Sequence, residues 1–186
     1  MAQIHEKLVE EWYRRQGYFT IRGAKAKGSG NNEIDLLAQK INSDGTISYR
    51  HIECQISFRP IGYIGTKNIK SARERTKEEI EEEASMWVKN KFLSPNAQNI
   101  RKSFVNNEVN WIYTFVHHIV RESYELEVIK NHGIELVPFK IIKNSLDPQG
   151  DKSSDARDEV ELLRDDEVDQ LKTWRLFIKS TNAEDV

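Results

Sequence analysis

The sequence predicts a mixed α/β domain in which a central sheet is flanked by helices. An N-terminal segment with helical spacing precedes three segments that alternate apolar and polar residues as strands do, and a long charged helix separates these from a further apolar strand. A chain of 186 residues suits one domain with an extension. We expect residues 1–144 to form the domain, and residues 145–186 to form a linker and an acidic amphipathic C-terminal helix.

The first elements are one helix and three strands. Residues 2–16 place Ile4, Leu8 and Trp12 along one side of a helix, and Gly17 follows in a position typical of a helix end. The three strand segments that follow are YFTIRGAK, EIDLLAQKI and ISYRHIECQIS. The turn NSDGT joins the last two and predicts a hairpin.

The later elements complete the order α-β-β-β-α-β-α-β. The pattern predicts a long charged helix over about 67–92, a fourth strand in VNWIYTFVHHIV, a short helix over about 122–131 and a last strand in IELVPFKII. After a linker-like stretch, apolar residues from Val160 to Ile178 recur at helical spacing. This last segment is the predicted C-terminal helical extension.

Composition and charge limit the classes of protein to consider. The single cysteine, Cys54, excludes a disulfide framework and a cysteine-based zinc cluster. We find no apolar run of bilayer length and no signal-peptide pattern, and we therefore expect a cytoplasmic protein without membrane contact. The net charge is −2, but residues 145–186 hold 12 Asp/Glu against 6 Lys/Arg, which leaves +4 for residues 1–144. A basic body with an acidic tail is compatible with a polyanionic partner.

Two carboxylates occupy strand segments that should be largely buried. Because side chains alternate between the faces of a strand, Asp35 points away from its apolar neighbours, and Glu53 and Gln55 do the same in the next strand. If the hairpin pairs these strands, Asp35 and Glu53 lie close together on one face. Two such carboxylates repel each other unless a cation or a shared proton relieves them. Since Mg²⁺ prefers oxygen ligands, the pattern predicts a metal site.

At these residues the sequence resembles the PD-(D/E)xK nuclease superfamily. Its motif is an Asp in the second core strand followed by Glu-x-Lys in the third, and here Asp35 in NEIDLLA is followed by Glu53-Cys54-Gln55. HEKLVEEWYRRQGYF resembles the first helix of the family, which often carries a further acidic residue, and Glu6 is the candidate. The resemblance covers roughly residues 2–60 and implies a restriction-endonuclease-like αβββαβ core.

The resemblance also implies an activity and its cofactor. A member of this superfamily would be a Mg²⁺-dependent endonuclease that hydrolyses DNA phosphodiester bonds, of restriction or DNA-processing type, with Mn²⁺ as a substitute. Asp35, Glu53 and the Cys54 carbonyl would hold one or two ions. Double-stranded DNA would be the partner, and a homodimer would supply the two active sites that double-strand cutting requires.

One residue departs from the family pattern, because Gln55 stands where the lysine is usual. A Glu-x-Gln variant occurs among some restriction-type members, and a glutamine amide can orient a water molecule without supplying charge. The following helix could supply the missing cation. The alternative is a catalytically inactive nuclease-fold module that binds nucleic acid or regulates another protein.

Basic residues near the predicted site are candidates for phosphate contacts. The basic residues in the helix after the third strand could instead form a solvent-exposed face with Glu/Lys pairs. The polar stretches NNEVN and PNAQN are candidates for reading bases. The candidate phosphate contacts are Lys25, Lys27, Arg59, Lys67, Lys70 and Arg73.

For three further residues near the motif, the alternative to a role in the site is an ordinary place in solvent or in the core. Glu6 lies off the apolar stripe of the first helix, so it faces either the site or solvent. His51 shares the face of Glu53, and for this side chain we expect a solvated imidazole. The Cys54 side chain should point into the core as a small, inert apolar group.

Overall fold

The structure is a computed structural model that describes residues 2–26, 32–56, 63–64, 75–105, 108–118, 120 and 122–146. The predicted C-terminal helix lies outside these residues. So do five of the candidate phosphate contacts, namely Lys27, Arg59, Lys67, Lys70 and Arg73.

The described elements follow the predicted order with two additional helices. They are α1 (Ala2–Arg15), β1 (Phe19–Ala24), β2 (Ile34–Ile41), β3 (Ile47–Gln55), α2 (Lys77–Val88), a π-helix (Lys89–Leu93), α3 (Pro95–Phe104), β4 (Trp111–His117), α4 (Ser123–Asn131), β5 (Glu135–Pro138) and α5 (Phe139–Leu146). None of the helices in this part of the chain has the length and apolar character needed to cross a bilayer.

The strands form one mixed sheet in the order β1-β2-β3-β4-β5. β1, β2 and β3 are antiparallel, whereas β3, β4 and β5 run parallel. The hairpin register pairs Leu36 with Ile52, and one more step along it sets Asp35 opposite Glu53. The predicted α/β class, a central mixed sheet flanked by helices, is therefore confirmed, and its register brings the two carboxylates together.

Helices cover both faces of this sheet. On one face α1 and α5 share a buried cluster with β2, β3 and β4, made of Leu8, Val9, Tyr13, Leu36, Ala38, Ile52, Val116, Phe139, Ile142 and Leu146. On the other face α2, the π-helix and α4 bury a cluster of Ile64, Ala84, Trp87, Val88, Phe92, Phe115, Val128, Ile129 and Ile134. Asp35 and Glu53 belong to the second face, so their surroundings are largely protein.

Within the described residues, the helix predicted over about 67–92 begins at Lys77 and changes from an α-helix to a π-helix after Val88. Residues 65–74 lie outside the described part, and α2 begins at Lys77, where Thr76 and Glu79 form a capping box. The α-helix ends at Val88 and continues as the π-helix. A π-helix inserts one residue into a turn and is frequent at functional sites.

The helix α3 was not predicted, and it contains PNAQN, the stretch named above only as a polar candidate for reading bases. Ser94 accepts a hydrogen bond from the Ala97 N–H, and Pro95 occupies the first helical position, so this stretch is the start of a helix. Ala97, Ile100 and Arg101 are the buried residues of the helix.

The predicted single strand IELVPFKII is also wrong. β5 ends at Pro138, and α5 begins at Phe139. Phe139, Ile142 and Leu146 recur at helical spacing and are buried together with residues of α1, which a continued strand could not achieve. The core extends to Leu146, past the predicted boundary at residue 144.

Candidate functional site

Glu53 lies at the centre of a group of charged side chains near the end of β3. Its side chain is 2% exposed. Lys91 Nζ lies 2.6 Å from one carboxylate oxygen, Oε2, and His51 Nε2 lies 3.0 Å from the other, Oε1. A carboxylate this deeply buried needs such partners, because removing an unpaired charge from water is costly.

Asp35 sits beside Glu53 at the start of β2. The Cys54 N–H donates a hydrogen bond to Asp35 Oδ2 at 2.8 Å. The Asp35 carboxylate thus takes the place of a main-chain carbonyl of β2 as the acceptor for this N–H. Burial and, next, the charge of Glu53 raise the pKa of Asp35 to about 7, although the Cys54 hydrogen bond and the charge of Lys91 oppose the shift. The two carboxylates thus interact directly.

The pKa of Glu53 is raised as well. Burial raises its pKa to about 7, against the opposing charge and hydrogen bond of Lys91 and a hydrogen bond with Asp35. Near neutral pH the pair therefore holds a proton for part of the time when no cation is bound. A shared proton is one of the two ways, beside a bound cation, in which the repulsion between neighbouring carboxylates is relieved.

Lys91 supplies a cation that the sequence interpretation missed. Burial lowers its pKa, but the charge and hydrogen bond of Glu53 and the charge of Asp35 outweigh burial, so the pKa is raised and the side chain remains an ammonium. The π-helix buries Phe92 fully and leaves the Lys91 side chain 42% exposed. One side of the ammonium therefore faces Glu53 while the side chain keeps access to solvent.

Glu6 lies at the border of the surface that α1 buries. The buried side chains of α1 include Leu8, Val9 and Tyr13, and Glu6 precedes Val9 by three positions and Tyr13 by seven, so it is half-buried. Burial raises its pKa, as do the charges of Asp35 and other carboxylates of the site. Glu6 is therefore close enough to Asp35 to interact with it.

Gln55 and Cys54 complete the residues of the predicted motif. Gln55 is the last residue of β3, half-buried, with its Cα paired to that of His117. The Cys54 side chain packs against the cluster on the opposite face of the sheet. Since the N–H and C=O of one extended residue point to the same neighbouring strand, the Cys54 carbonyl also lies on the Asp35 side.

Lys25 is the one candidate phosphate contact that falls among the described residues. Its Nζ lies 2.9 Å from Glu33 Oε2, and both side chains are about half exposed. An exposed ion pair of this kind contributes little to stability, so it can exchange readily for another partner.

His51 and Arg101 form a second group behind Glu53. The expectation of a solvated imidazole is wrong, because His51 is fully buried. Arg101 Nη1 lies 2.8 Å from His51 Nδ1 and also donates to the Phe92 carbonyl at 2.8 Å. The shared face of His51 and Glu53 was a usable sequence signal, whereas Arg101 lies on the helix that was not predicted.

The donor chemistry of the site fits Mg²⁺. Among the described residues, no three His, Cys, Asp or Glu side chains form a metal-binding group. Mg²⁺ commonly uses only one or two carboxylates and completes its octahedron with waters and substrate phosphate oxygens. Asp35, Glu53 and the Cys54 carbonyl are ligands of that kind. Burial raises the pKa of both acids, and a bound cation would favour their ionised forms.

Comparisons with known proteins give little further information. The chain matches no protein-family model and no curated protein sequence. It is similar to one solved structure, titled "Crystal Structure of Protein of Unknown Function AF1548", with 16% identity and a TM-score of 0.46 over 77% of this chain and 66% of that one. The chain thus spans less than two thirds of that protein, and the likeness assigns neither a fold family nor a function.

Proposed function

We propose that this protein is a Mg²⁺-dependent endonuclease with a restriction-endonuclease-like core, which hydrolyses phosphodiester bonds in DNA. One observation carries the proposal: the carboxylates of Asp35 and Glu53 meet at the ends of two adjacent strands with the Lys91 ammonium against one of them. Two acids and a lysine are the residue types of the motif that Asp35 and Glu53 resemble, although the lysine comes from another element.

Each protein group has a part in this chemistry. Asp35, Glu53 and the Cys54 carbonyl would hold Mg²⁺, which supplies Lewis-acid polarisation of the scissile phosphate and activation of the attacking water. Lys91 stays protonated beside Glu53, so it contributes positive charge where negative charge develops and does not act as a base. The Gln55 amide orients the attacking water.

The surroundings of the site supply further acidic and basic groups. Glu6 approaches Asp35 from α1 and adds negative charge, which favours cation binding. Lys25, together with basic residues outside the described part of the chain, would contact DNA phosphates without reading sequence. Double-stranded DNA as partner, a homodimer and a cytoplasmic location complete the proposal, and a chain with a single cysteine suits a reducing compartment.

A second candidate function rests on the same ion pair. Lys91 neutralises Glu53 in the absence of metal, and Gln55 lacks the usual charge. The protein would then be a nuclease fold that has lost catalysis and serves as a nucleic-acid-binding or regulatory module. Such a module would keep the Lys91–Glu53 pair as a structural contact.

Incubation with DNA separates the two candidates. Supercoiled plasmid and single-stranded DNA are each treated with the protein in Mg²⁺, in Mn²⁺ and in EDTA. Cleavage that requires metal supports the endonuclease. Retardation of DNA on a gel without cleavage in either metal supports the binding module, and neither effect would reject both.

A further inference from the structure

A chain of hydrogen bonds leads from α3 through His51 to Glu53. Arg101 Nη1 lies 2.8 Å from His51 Nδ1, and His51 Nε2 lies 3.0 Å from Glu53 Oε1. All three residues are at most 5% exposed. The chain therefore runs inside the protein, on the side of Glu53 away from Lys91.

The direction of each hydrogen bond follows from the chemistry of the partners. A guanidinium group only donates, so His51 Nδ1 must accept from Arg101. In a neutral imidazole the proton then resides on Nε2, and that N–H donates to Glu53 Oε1. Arg101 thus selects one tautomer of His51, and this tautomer presents a donor to the carboxylate.

Packing holds both donors in place. Arg101 donates to the Phe92 carbonyl as well, and its guanidinium lies 5.8 Å and 5.2 Å from the ring centres of Trp111 and Tyr113. The His51 ring lies 4.8 Å from the ring of Phe92. Since Phe92 follows Lys91 in the π-helix, the same contacts that hold the two donors also hold the segment that carries the ammonium.

The position of Arg101 is costly for the fold alone. Among the described residues, the partners of Arg101 are a ring nitrogen, a main-chain carbonyl and two aromatic faces, and none of them is a carboxylate. Burying a cation without a counter-ion usually destabilises a protein, and an apolar side chain of the same volume would pack at lower cost. This cost is the reason to look for a role of Arg101 beyond stability.

We propose that His51 and Arg101 are positioning residues for Glu53. The His51 N–H fixes Oε1, so the other oxygen, Oε2, is held toward Lys91 and stays available to the cation of the proposed function. This inference deepens the proposed function and rests on it for the identity of the bound ion. The orientation of Glu53 by a single His51 tautomer, however, can be observed without any cleavage.

The test compares variants that remove or keep the donor. His51→Leu removes the N–H donor to Glu53, whereas His51→Gln keeps a donor toward Glu53 and an acceptor toward Arg101. Arg101→Met removes the group that selects the His51 tautomer. Thr114→Val is the matched control, because Thr114 is fully buried in β4 and accepts a hydrogen bond from Arg50. Mn²⁺ affinity is measured by titration calorimetry, cleavage by kcat and KM, and stability by thermal unfolding.

The expected results distinguish a role of His51 in positioning Glu53 from a role in stabilising the fold. His51→Leu should weaken Mn²⁺ binding roughly 10- to 100-fold and lower kcat while KM for DNA changes little. His51→Gln should recover most of both losses, and Thr114→Val should lower the unfolding temperature without changing Mn²⁺ affinity. If His51→Leu binds Mn²⁺ as tightly as the wild type, the proposal is overturned even when Glu53→Gln abolishes cleavage.

Nitrogen-15 NMR of the wild-type protein tests the orientation independently of activity. We expect His51 to carry its proton on Nε2, with Nδ1 unprotonated, and Arg101→Met to abolish this single tautomer. A proton on Nδ1 in the wild type would contradict the positioning chain. A wild type that shows the expected tautomer but neither binds Mn²⁺ nor cuts DNA would overturn the proposed function and, with it, the positioning of a metal ligand.

Discussion

The Nζ atom of Lys91 lies 2.6 Å from Oε2 of Glu53, although the two residues are 38 positions apart in the chain. In the motif that this sequence resembles, the lysine follows the glutamate by two positions, where this chain has Gln55. The π-helix after α2 thus brings an ammonium to the carboxylate from a different element. The charge that the sequence motif lacks is present in the folded protein.

Glu53→Gln should abolish cleavage while the protein remains folded. The amide has nearly the same volume, but it neither binds Mg²⁺ as a carboxylate does nor forms an ion pair with Lys91. Metal-dependent cleavage and circular dichroism of the purified variant check the two expectations. Glu135→Gln, which removes a half-exposed carboxylate paired with Arg50, is the control and should cut normally. Normal cutting by Glu53→Gln would place the active site elsewhere.

Gln55→Ala should lower the cleavage rate while metal binding persists. Loss of one preorganised polar contact to the reacting groups commonly costs about 10²–10³ in rate. Single-turnover cleavage measures the rate, and Mn²⁺ calorimetry shows whether the ion still binds. A variant as fast as the wild type would mean that Gln55 does not orient the attacking water.

The stability of the metal-free protein should depend on pH through Asp35. Its pKa is about 7 in the folded protein and about 4 in an unfolded chain, so between these values the folded state binds more protons. The free energy of unfolding then falls as pH rises from about 4 to 7, because unfolding releases the proton. Asp35→Asn lacks this contribution and should gain stability relative to the wild type across that window.

Urea unfolding in EDTA at several pH values measures this difference. The comparison with Asp35→Asn cancels titratable groups remote from the carboxylate pair, including His5, whose pKa burial lowers to about 4 and whose effect has the opposite sign. Parallel stability curves for the two proteins would show that the Asp35 pKa is not raised.

Most of the sheet could be predicted from local patterns. Alternation identified β1 to β3, a strongly apolar run identified β4, and the hairpin turn predicted the pairing that faces Asp35 with Glu53. The split between β5 and α5 was missed because its apolar residues suit either element, and the packing of Phe139 beside Leu8 decides between them. The helix α3 had a readable start at Ser94-Pro95, but the stretch was noted only for its polarity and was given no secondary structure.

Only the part of the site that is formed by residues close together in the sequence could be predicted. Asp35 and Glu53 lie on paired strands close in sequence, so alternation was sufficient to identify them. Lys91 and Arg101 reach Glu53 and His51 through tertiary packing of the π-helix and α3, and no spacing rule connects them to β3. The phosphate contacts expected from the charged segment before Lys77 remain predictions, because that segment lies outside the described residues.

Moving the lysine back to the family position tests the central claim most directly. Plasmid cleavage in Mg²⁺ is compared for the wild type, Lys91→Met, Lys91→Met with Gln55→Lys, and Lys89→Met, an exposed lysine of the same π-helix. Lys91→Met should cut about 10²–10³ times more slowly, the double variant should regain part of this rate, and Lys89→Met should match the wild type. Cleavage by Lys91→Met at the wild-type rate, or a wild type that never cuts, would contradict a nuclease site completed by Lys91.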